Sequence, residues 1–130
     1  MEQLIIEASA KTPRIVFDPI NNNFEISGES RPENVNAFFE PVFGWLDSYL
    51  TYLKSNGSKN DFTLRMYLEY FNSASAKYLL NLTKKLNEFR TAGIPIEVEW
   101  CYLEEDDDMK EAGEEIEHLS SIPFKYKAIN

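Results

Sequence analysis

The sequence DFTLRMYLEYFNSASAK, residues 61–77, decides the fold class because it passes from the pattern of a strand to that of a helix. Apolar and polar side chains alternate from Asp61 to Phe71, which is the period of a strand with one buried face. After Asn72-Ser73 the apolar side chains instead recur every three or four residues, at Ala76, Leu79, Leu82, Leu86 and Phe89. A strand that runs directly into an amphipathic helix is typical of α/β proteins, so the sequence predicts that class.

The elements on either side of this stretch give a predicted order of β-β-α-β-α-β-α-β. A long first helix is indicated by apolar side chains at spacings of three and four between Val35 and Leu53. The second helix begins near Ser73, and Gly93 and Pro95 end it. The other predicted elements are the strands Arg14–Asp18, Phe24–Ser27, Ile96–Leu103 and Phe124–Ile129 and a third helix at about Asp108–Leu119.

Two features of the N-terminal half leave alternatives open. Leu4–Ala8 is either a further short strand or a frayed terminus. Pro41 lies inside the first helical pattern and removes a backbone amide donor, so we expect a kink or a restart of the helix there. Asn56-Gly57-Ser58 is predicted to end this helix.

The arrangement of the sheet follows from the connections between its strands. Strands that are separated by helices pair in parallel through right-handed crossovers, which predicts a mixed, mostly parallel sheet of about five strands. The alternation within the central strands indicates that the helices lie mainly on one face. The other face is then polar, and its basic side chains, Arg65, Lys125 and Lys127, are available to offset Glu97 and Glu99.

Charge and composition exclude several classes of partner. The formal net charge is −9, whereas binding to nucleic acid or to anionic lipid requires an excess of Lys and Arg. No apolar run approaches the roughly 18 residues of a membrane span, and Met1-Glu2-Gln3-Leu4 does not resemble a signal peptide. Cys101 is the single cysteine and has no partner for an internal disulfide. We therefore expect a cytoplasmic protein without nucleic-acid or membrane partners.

Half of the acidic residues lie in the range 97–117, where eleven carboxylates are accompanied by one basic residue, Lys110. The run Glu104–Asp108 raises a metal-dependent hydrolase as an alternative function. Contiguous acids lack the spaced ligands of a calcium-binding loop, however, and the end of this run suits the positive end of a helix. The chain also lacks nucleotide-binding and zinc-protease motifs. The sequence therefore predicts no catalytic residue, no metal site and no cofactor, and hence a protein that is not an enzyme.

The junction Tyr70–Lys77 contains the residues of greatest functional interest. Asn72 or Ser73 is expected to be the N-cap of the second helix, which is an ordinary structural role. The same geometry also suits a phosphate group, because the amides of the first helical turn lack partners and carry a partial positive charge. Phosphorylation of a serine there changes the surface by about −1.5 to −2 charges without rearranging the fold.

Several short pieces of this chain have the order and spacing of a known family. They are Thr12-Pro13, Phe17-Asp18, Gly28–Asn34, Trp45-Leu46, Tyr70–Lys77, Trp100, Tyr102, Asp107–Met109, Glu111–Glu114 and Pro123-Phe124. With its element order, the chain resembles the STAS domain of anti-sigma factor antagonists. It resembles more closely the SiaC family of regulatory phosphoproteins, which are STAS-like bacterial proteins linked to biofilm control. The resemblance implies a single STAS-like domain over residues 1–130.

The resemblance also implies how the protein works. In that family a Ser or Thr directly after the Asn of the junction accepts phosphate from a dedicated Ser/Thr protein kinase and loses it to a PP2C-type phosphatase. The unphosphorylated form binds and activates a diguanylate cyclase, which makes cyclic-di-GMP. Here the acceptor falls on Ser73, with Ser75 as the alternative and with Asn72 and Lys77 as its surroundings. Classical STAS phosphoproteins carry Asp-Ser-Ser-Gly at this point, whereas this chain has Asn72-Ser73-Ala74-Ser75, which argues against sigma-factor control. A partner switch acting on another target, such as an anti-sigma kinase, is the alternative function.

Two further segments are candidates for partner binding. The segment Gly28–Asn34 resembles the family signature Gly-Glu-Ser-x-Pro-Glu-Asn, and its polar side chains are candidate partner contacts: Glu29, Arg31, Glu33 and Asn34. It also reads as an ordinary turn that leads into a helix. On the first helix, Trp45 and Tyr52 lie to one side of the apolar stripe. They are either the rim of the core or a docking surface, since Trp and Tyr are enriched at interface hot spots.

Overall fold

The computed structural model describes residues 1–57 and 61–130, and these residues form one mixed sheet with three helices. The strands are β1 (Leu4–Ile6), β2 (Arg14–Asp18), β3 (Asn23–Ser30), β4 (Phe62–Phe71), β5 (Ile96–Leu103) and β6 (Phe124–Ile129). The helices are α1 (Val35–Asn56), α2 (Ser73–Thr91) and α3 (Asp107–Ser120). The predicted fold class is confirmed. The sheet has six strands because Leu4–Ile6 is a strand, which settles the alternative at the N-terminus.

The strands lie in the sheet in the order of the sequence, from β1 to β6. β1, β2 and β3 pair antiparallel, and β3 to β6 pair parallel. The hairpin between β2 and β3 is closed by Asp18, whose carboxylate accepts hydrogen bonds from the side chain of Asn21 at 2.7 Å and from the amide of Ile20 at 3.1 Å. The bond from Asn21 is the main reason why the pKa of Asp18 is lowered.

Helix α1 runs without interruption through Pro41, so the predicted restart is wrong. Proline removes one amide hydrogen bond, but the neighbouring side chains of Phe39 and Val42 are fully buried and hold the helix against the sheet on both sides of it. Asn34 caps the first turn by accepting from the amide of Ala37 at 3.0 Å. Gly57 ends the helix with a φ of +61°, and Ser58, which was predicted to follow it, lies outside the described residues.

All three helices pack against the same face of the sheet. The buried apolar side chains of the helices and of one sheet face form a single cluster, with Trp100 of β5 among its largest members. The Trp100 indole N–H donates to the carbonyl of Met109 in α3 at 2.9 Å. Gly113 lies against the same ring, where a Cβ atom would come within 2.5 Å of Nε1. The absence of a side chain at Gly113 therefore leaves room for the Trp100 ring.

The opposite face of the sheet is polar, as predicted. Arg65 lies between two acidic side chains, with its guanidinium 3.7 Å from Glu25 and 3.5 Å from Glu99. Lys125 pairs with Glu97 at 3.4 Å, whereas Lys127 forms no ion pair within the described part of the chain.

Cys101 also belongs to the polar face but is only 2% exposed, and burial is the main cause that raises its pKa to about 11. This environment is that of a buried, unreactive thiol rather than of a reactive thiolate. Within residues 1–57 and 61–130, no helix is both long and apolar enough to cross a bilayer.

Candidate functional site

The junction between β4 and α2 is built around Asn72. Its backbone is extended (φ −84°, ψ 174°), and its side-chain oxygen accepts from the amide of Ser75 at 2.9 Å. Its carbonyl accepts from the amide of Ala76 at 2.9 Å. Asn72 is therefore the N-cap, and Ser73 is the first helical residue. The amides at the very start of a helix have no intrahelical acceptor, so Ser73 sits at the positive end of α2.

The two serines of the junction differ completely in exposure. Ser73 is exposed, whereas Ser75 is 0% exposed. The Ser75 hydroxyl donates to the carbonyl of Ser30 at 2.9 Å, and the Ser30 hydroxyl lies 2.8 Å from the same Ser75 oxygen. A kinase can reach Ser73 in the folded protein, while phosphate on Ser75 would require opening of the start of α2.

The same contacts join the junction to the end of β3. The amide of Asn72 donates to the carbonyl of Ser30 at 3.1 Å, and Ser30 pairs with Phe71 in the parallel register. The register shifts between Gly28 and Glu29, where Gly28 has a φ of +105° that favours glycine. The segment Gly28–Asn34, which resembles the family signature, therefore lies beside Ser73, although Ser30 and Ser73 are 43 positions apart in the sequence.

The polar side chains of this neighbouring segment are largely held by local contacts. Arg31 pairs with Glu29 at 3.4 Å, and its guanidinium also donates to the carbonyl of Ala10 at 3.4 Å. Glu33 is highly exposed and lies 3.5 Å from the ammonium group of Lys11. Asn34, the other candidate, is the N-cap of α1 described above. These side chains form a charged surface next to the junction.

Lys77 lies one helical turn after Ser73 and is exposed. Residues four apart on a helix are neighbours, so a phosphate on Ser73 would lie within reach of the Lys77 ammonium group. The next residue, Tyr78, donates its hydroxyl to the side chain of Asn36 in α1 at 3.2 Å. The structure thus brings Asn72, Ser73 and Lys77 together at the start of α2, and Tyr78 joins this part of α2 to the start of α1.

Trp45 and Tyr52 lie elsewhere. The Trp45 ring packs 5.3 Å from Phe17 and 4.9 Å from Tyr49, and its indole N–H donates to the carbonyl of Glu2 at 2.9 Å. Trp45 is half-buried, whereas Tyr52 is 41% exposed near the hairpin that joins β2 and β3. That hairpin is at the start of β3, whereas Ser73 follows the end of β4, which is parallel to β3. The two aromatic side chains are therefore at the opposite edge of the sheet from Ser73.

The acidic loop leads directly into α3 and supplies its N-cap and first turn. Asp106 is the N-cap and accepts from the amide of Met109 at 3.0 Å, while Asp107 and Asp108 occupy the first turn. Carboxylates at these positions complement the positive end of the helix. Among the residues that the structure describes, no three His, Cys, Asp or Glu side chains converge in a way that could hold a metal ion.

Sequence reasoning missed the contact of Ser75 with Ser30. Nothing in the local sequence around Ser30 indicates it, because the contact depends on the register between β3 and β4. The burial of Ser75 did leave a signal, since Ser75, Leu79, Leu82 and Leu86 have helical spacing and therefore share the buried face of α2.

The family that this chain matches bears directly on the junction. Residues 6–129 match the SiaC family of regulatory phosphoproteins. The chain belongs to this family. The predicted family, and with it the prediction of a regulatory protein, are confirmed. The assignments of individual site residues stay predictions.

Relatives and solved structures agree over nearly the full chain. An uncharacterized protein of Pseudomonas aeruginosa strain UCBPP-PA14 is 27% identical over 128 residues, which cover 98% of both chains. Apo-SiaC from Pseudomonas aeruginosa is also 27% identical, with a TM-score of 0.84 over 98% of this chain and 100% of that one. A third similarity is to the crystal structure of diguanylate cyclase SiaD in complex with its activator SiaC from Pseudomonas aeruginosa, with 27% identity, a TM-score of 0.86, and 97% and 99% coverage.

Proposed function

We propose that this chain is a cytoplasmic, non-enzymatic switch protein whose unphosphorylated form binds and activates a diguanylate cyclase, and that phosphorylation of Ser73 ends this activation. Membership of the SiaC family and the similarity to a cyclase activator in complex with its cyclase support the choice of target. The observation that carries the choice of residue is the contrast at the junction. Ser73 is exposed at the first position of α2, and Ser75 is fully buried.

The electrostatics of the junction favour a phosphate that leaves the fold intact. The start of α2 offers backbone amides and a partial positive charge, and Lys77 follows one turn later. A phosphoserine at this point gains charge-assisted hydrogen bonds in place of the bonds it makes to water. We therefore expect the modified protein to keep its melting temperature and to change only its surface.

We expect phosphorylation of Ser73 to weaken partner binding, because the partner would have to bury the phosphate. A partner that fits against the free Ser73 hydroxyl would have to bury a phosphate carrying about two negative charges, which is unfavourable without a dedicated cation. A Ser/Thr protein kinase and a PP2C-type phosphatase are the proposed enzymes that set the state of Ser73. The kinase recognises the unmodified residue, so a Ser73→Ala variant can still bind it.

The comparisons favour the cyclase over the other functions that the sequence allowed. No observation points to an anti-sigma kinase as the target, and the junction reads Asn72-Ser73-Ala74-Ser75 where classical STAS phosphoproteins have Asp-Ser-Ser-Gly. The acidic loop, which prompted the hydrolase alternative, has a structural use as the cap and first turn of α3.

The test is to treat the purified chain with its cognate kinase and to locate the phosphate by peptide mass mapping. We expect one phosphate, on Ser73, and none in the Ser73→Ala variant. Isothermal titration against the cyclase then compares the free, phosphorylated, Ser73→Ala and Ser73→Asp proteins. Ser48→Asp, which places the same charge on an exposed serine of α1, is the matched control. Phosphate on another residue, or equal affinity of the free and phosphorylated forms, would refute the assignment.

A further inference from the structure

Two buried hydroxyl groups form a closed ring of hydrogen bonds at the start of α2. The Ser75 hydroxyl donates to the carbonyl of Ser30 at 2.9 Å, and the two hydroxyl oxygens lie 2.8 Å apart. A serine has one hydroxyl proton, and that of Ser75 goes to the carbonyl, so the Ser30 hydroxyl is the donor to the Ser75 oxygen. Both side chains are fully buried. These two bonds are called the Ser30–Ser75 ring below.

The Ser30 carbonyl holds the start of α2 at two points. It accepts from the amide of Asn72 at 3.1 Å as well as from the Ser75 hydroxyl at 2.9 Å. Ser73 and Ala74 are the two residues between these points. The backbone on both sides of the Ser73 hydroxyl is therefore tied to one atom of β3.

An irregularity of the sheet brings this carbonyl to the junction. The register between β3 and β4 shifts between Gly28 and Glu29, because β4 contains one extra residue there. The shift places Phe71, rather than Tyr70, opposite Ser30, so the Ser30 carbonyl reaches the amide that follows Phe71. Bulges of this kind re-aim the chain and are frequent beside functional sites.

The stability of the fold does not account for the ring. Ser75 shares the buried stripe of α2 with Leu79, Leu82 and Leu86. Replacing both partners of a buried hydrogen bond by apolar groups of similar shape is nearly neutral for stability, whereas replacing only one partner is costly. Two alanines would therefore fill the same space, but they would tie the first turn of α2 to β3 only through the amide of Asn72.

We propose that Ser30 and Ser75 are positioning residues for phosphoryl transfer to Ser73, because their ring holds the first turn of α2 in the conformation that the kinase accepts. The inference rests on the proposed function for the reaction itself. In that reaction the Ser73 oxygen attacks the γ-phosphorus of ATP. The new O–P bond forms as the bond from that phosphorus to the departing ADP oxygen breaks, and a base of the kinase takes the hydroxyl proton.

Phosphoryl transfer is sensitive to the position of the attacking oxygen. This oxygen has to lie about 3–3.5 Å from the phosphorus and in line with the leaving group, and a displacement of about 1 Å can lower the rate about a hundredfold. A hydroxyl on a frayed first turn would have to be ordered by the kinase, at a cost in binding free energy. The ring makes this ordering part of the folded protein while Ser73 itself stays exposed.

A double variant, Ser30→Ala with Ser75→Ala, tests the ring without leaving a buried hydroxyl unpaired. The carbonyl of residue 30 keeps its bond from the amide of Asn72. Thr83→Ala is the matched control, because Thr83 is fully buried on the same helix and its hydroxyl donates to the carbonyl of Leu80 at 2.8 Å, away from the junction. Both variants and the unaltered chain are compared in urea unfolding, in amide hydrogen exchange and as substrates of the cognate kinase with ATP.

We expect the double variant to keep the urea midpoint of the unaltered chain. Exchange of the Ala76 amide, which donates to the carbonyl of Asn72, should become about tenfold faster because the first turn opens more often. The kcat/KM for phosphorylation of Ser73 should fall about tenfold. Thr83→Ala should lower the urea midpoint and leave the Ala76 exchange rate and kcat/KM unchanged.

The same measurements separate failure of the inference from failure of the proposed function. If the kinase modifies Ser73 and the double variant has an equal or higher kcat/KM, the inference is wrong and the proposed function stands. Unchanged exchange of the Ala76 amide, or an equal loss of kcat/KM in Thr83→Ala, would overturn the inference in the same way. If the kinase places no phosphate on Ser73 of the unaltered chain, the proposed function is wrong and the inference falls with it.

Discussion

The side-chain oxygens of Ser30 and Ser75 lie 2.8 Å apart and are fully buried, although 45 positions separate them in the sequence. The Ser75 hydroxyl also donates to the Ser30 carbonyl, which in turn accepts from the amide of Asn72. These bonds attach the first turn of α2 to the end of β3. They therefore fix the position of Ser73, one of the two residues between the cap and the buried serine.

The first prediction concerns this attachment. Ser75→Ala should lower the free energy of unfolding by about 1–2 kcal/mol, because it removes a buried hydrogen bond and leaves the Ser30 hydroxyl without its acceptor. Ser73→Ala, at the exposed neighbour, should change it by less than about 0.5 kcal/mol. Urea denaturation followed by circular dichroism measures both. Equal effects of the two substitutions would contradict the difference in burial.

A second prediction tests the contact of α3 with Trp100. Gly113→Ala should destabilise the protein by about 1–3 kcal/mol, because the added methyl group meets the Trp100 ring and the ring is held by its bond to Met109. Gly44→Ala is the matched control, since nothing lies within 4 Å of a Cβ atom there. In the interior of α1 that change should be stabilising by up to about 1 kcal/mol.

Thermal unfolding of both glycine variants measures the two changes in stability. Tryptophan fluorescence probes the environment of Trp100 in the same samples. A neutral Gly113→Ala variant would mean that α3 moves away from Trp100 easily.

The third prediction separates the two aromatic candidates on α1. Trp45→Ala should lower the free energy of unfolding by about 2 kcal/mol, because the half-buried ring packs on Phe17 and Tyr49 and its N–H anchors the N-terminal residues. Tyr52→Ala should be nearly neutral for stability. A binding defect in Tyr52→Ala with unchanged unfolding would place a partner contact at this edge of the sheet. Unchanged partner binding in Tyr52→Ala would exclude Tyr52 as a partner contact.

The fourth prediction concerns Cys101. Because burial raises its pKa to about 11, only about 0.1% of the thiol is ionised at pH 8. Reaction with a thiol reagent should therefore be slow in the native protein and fast in urea, with native rates that follow the unfolding equilibrium. Rapid native labelling would show that the polar face of the sheet opens locally.

The sequence predicts the strands β5 and β6 with their observed bounds, because alternation is clear there and Pro95 and Pro123 mark where each strand begins. The three residues of β1 carry too little pattern to tell a strand from a frayed terminus. At Pro41 local propensity predicts a kink or a restart of the helix, and the restart is wrong because burial on both sides of Pro41 keeps α1 continuous. The site is predictable at Asn72 and Ser73, where the signal is local. The contact with Ser30 is not, since it arises only once β3 and β4 pair in register.

The rate at which the purified cyclase makes cyclic-di-GMP tests the central claim most directly. It is measured with the unphosphorylated chain, with the chain phosphorylated on Ser73, and with Ser73→Ala after incubation with kinase and ATP. We predict activation by the first, little activation by the second, and full activation by the third, because alanine cannot accept the phosphate. Equal activation by the phosphorylated and unphosphorylated chains, or loss of activation in kinase-treated Ser73→Ala, would contradict the assignment of Ser73 as the switch.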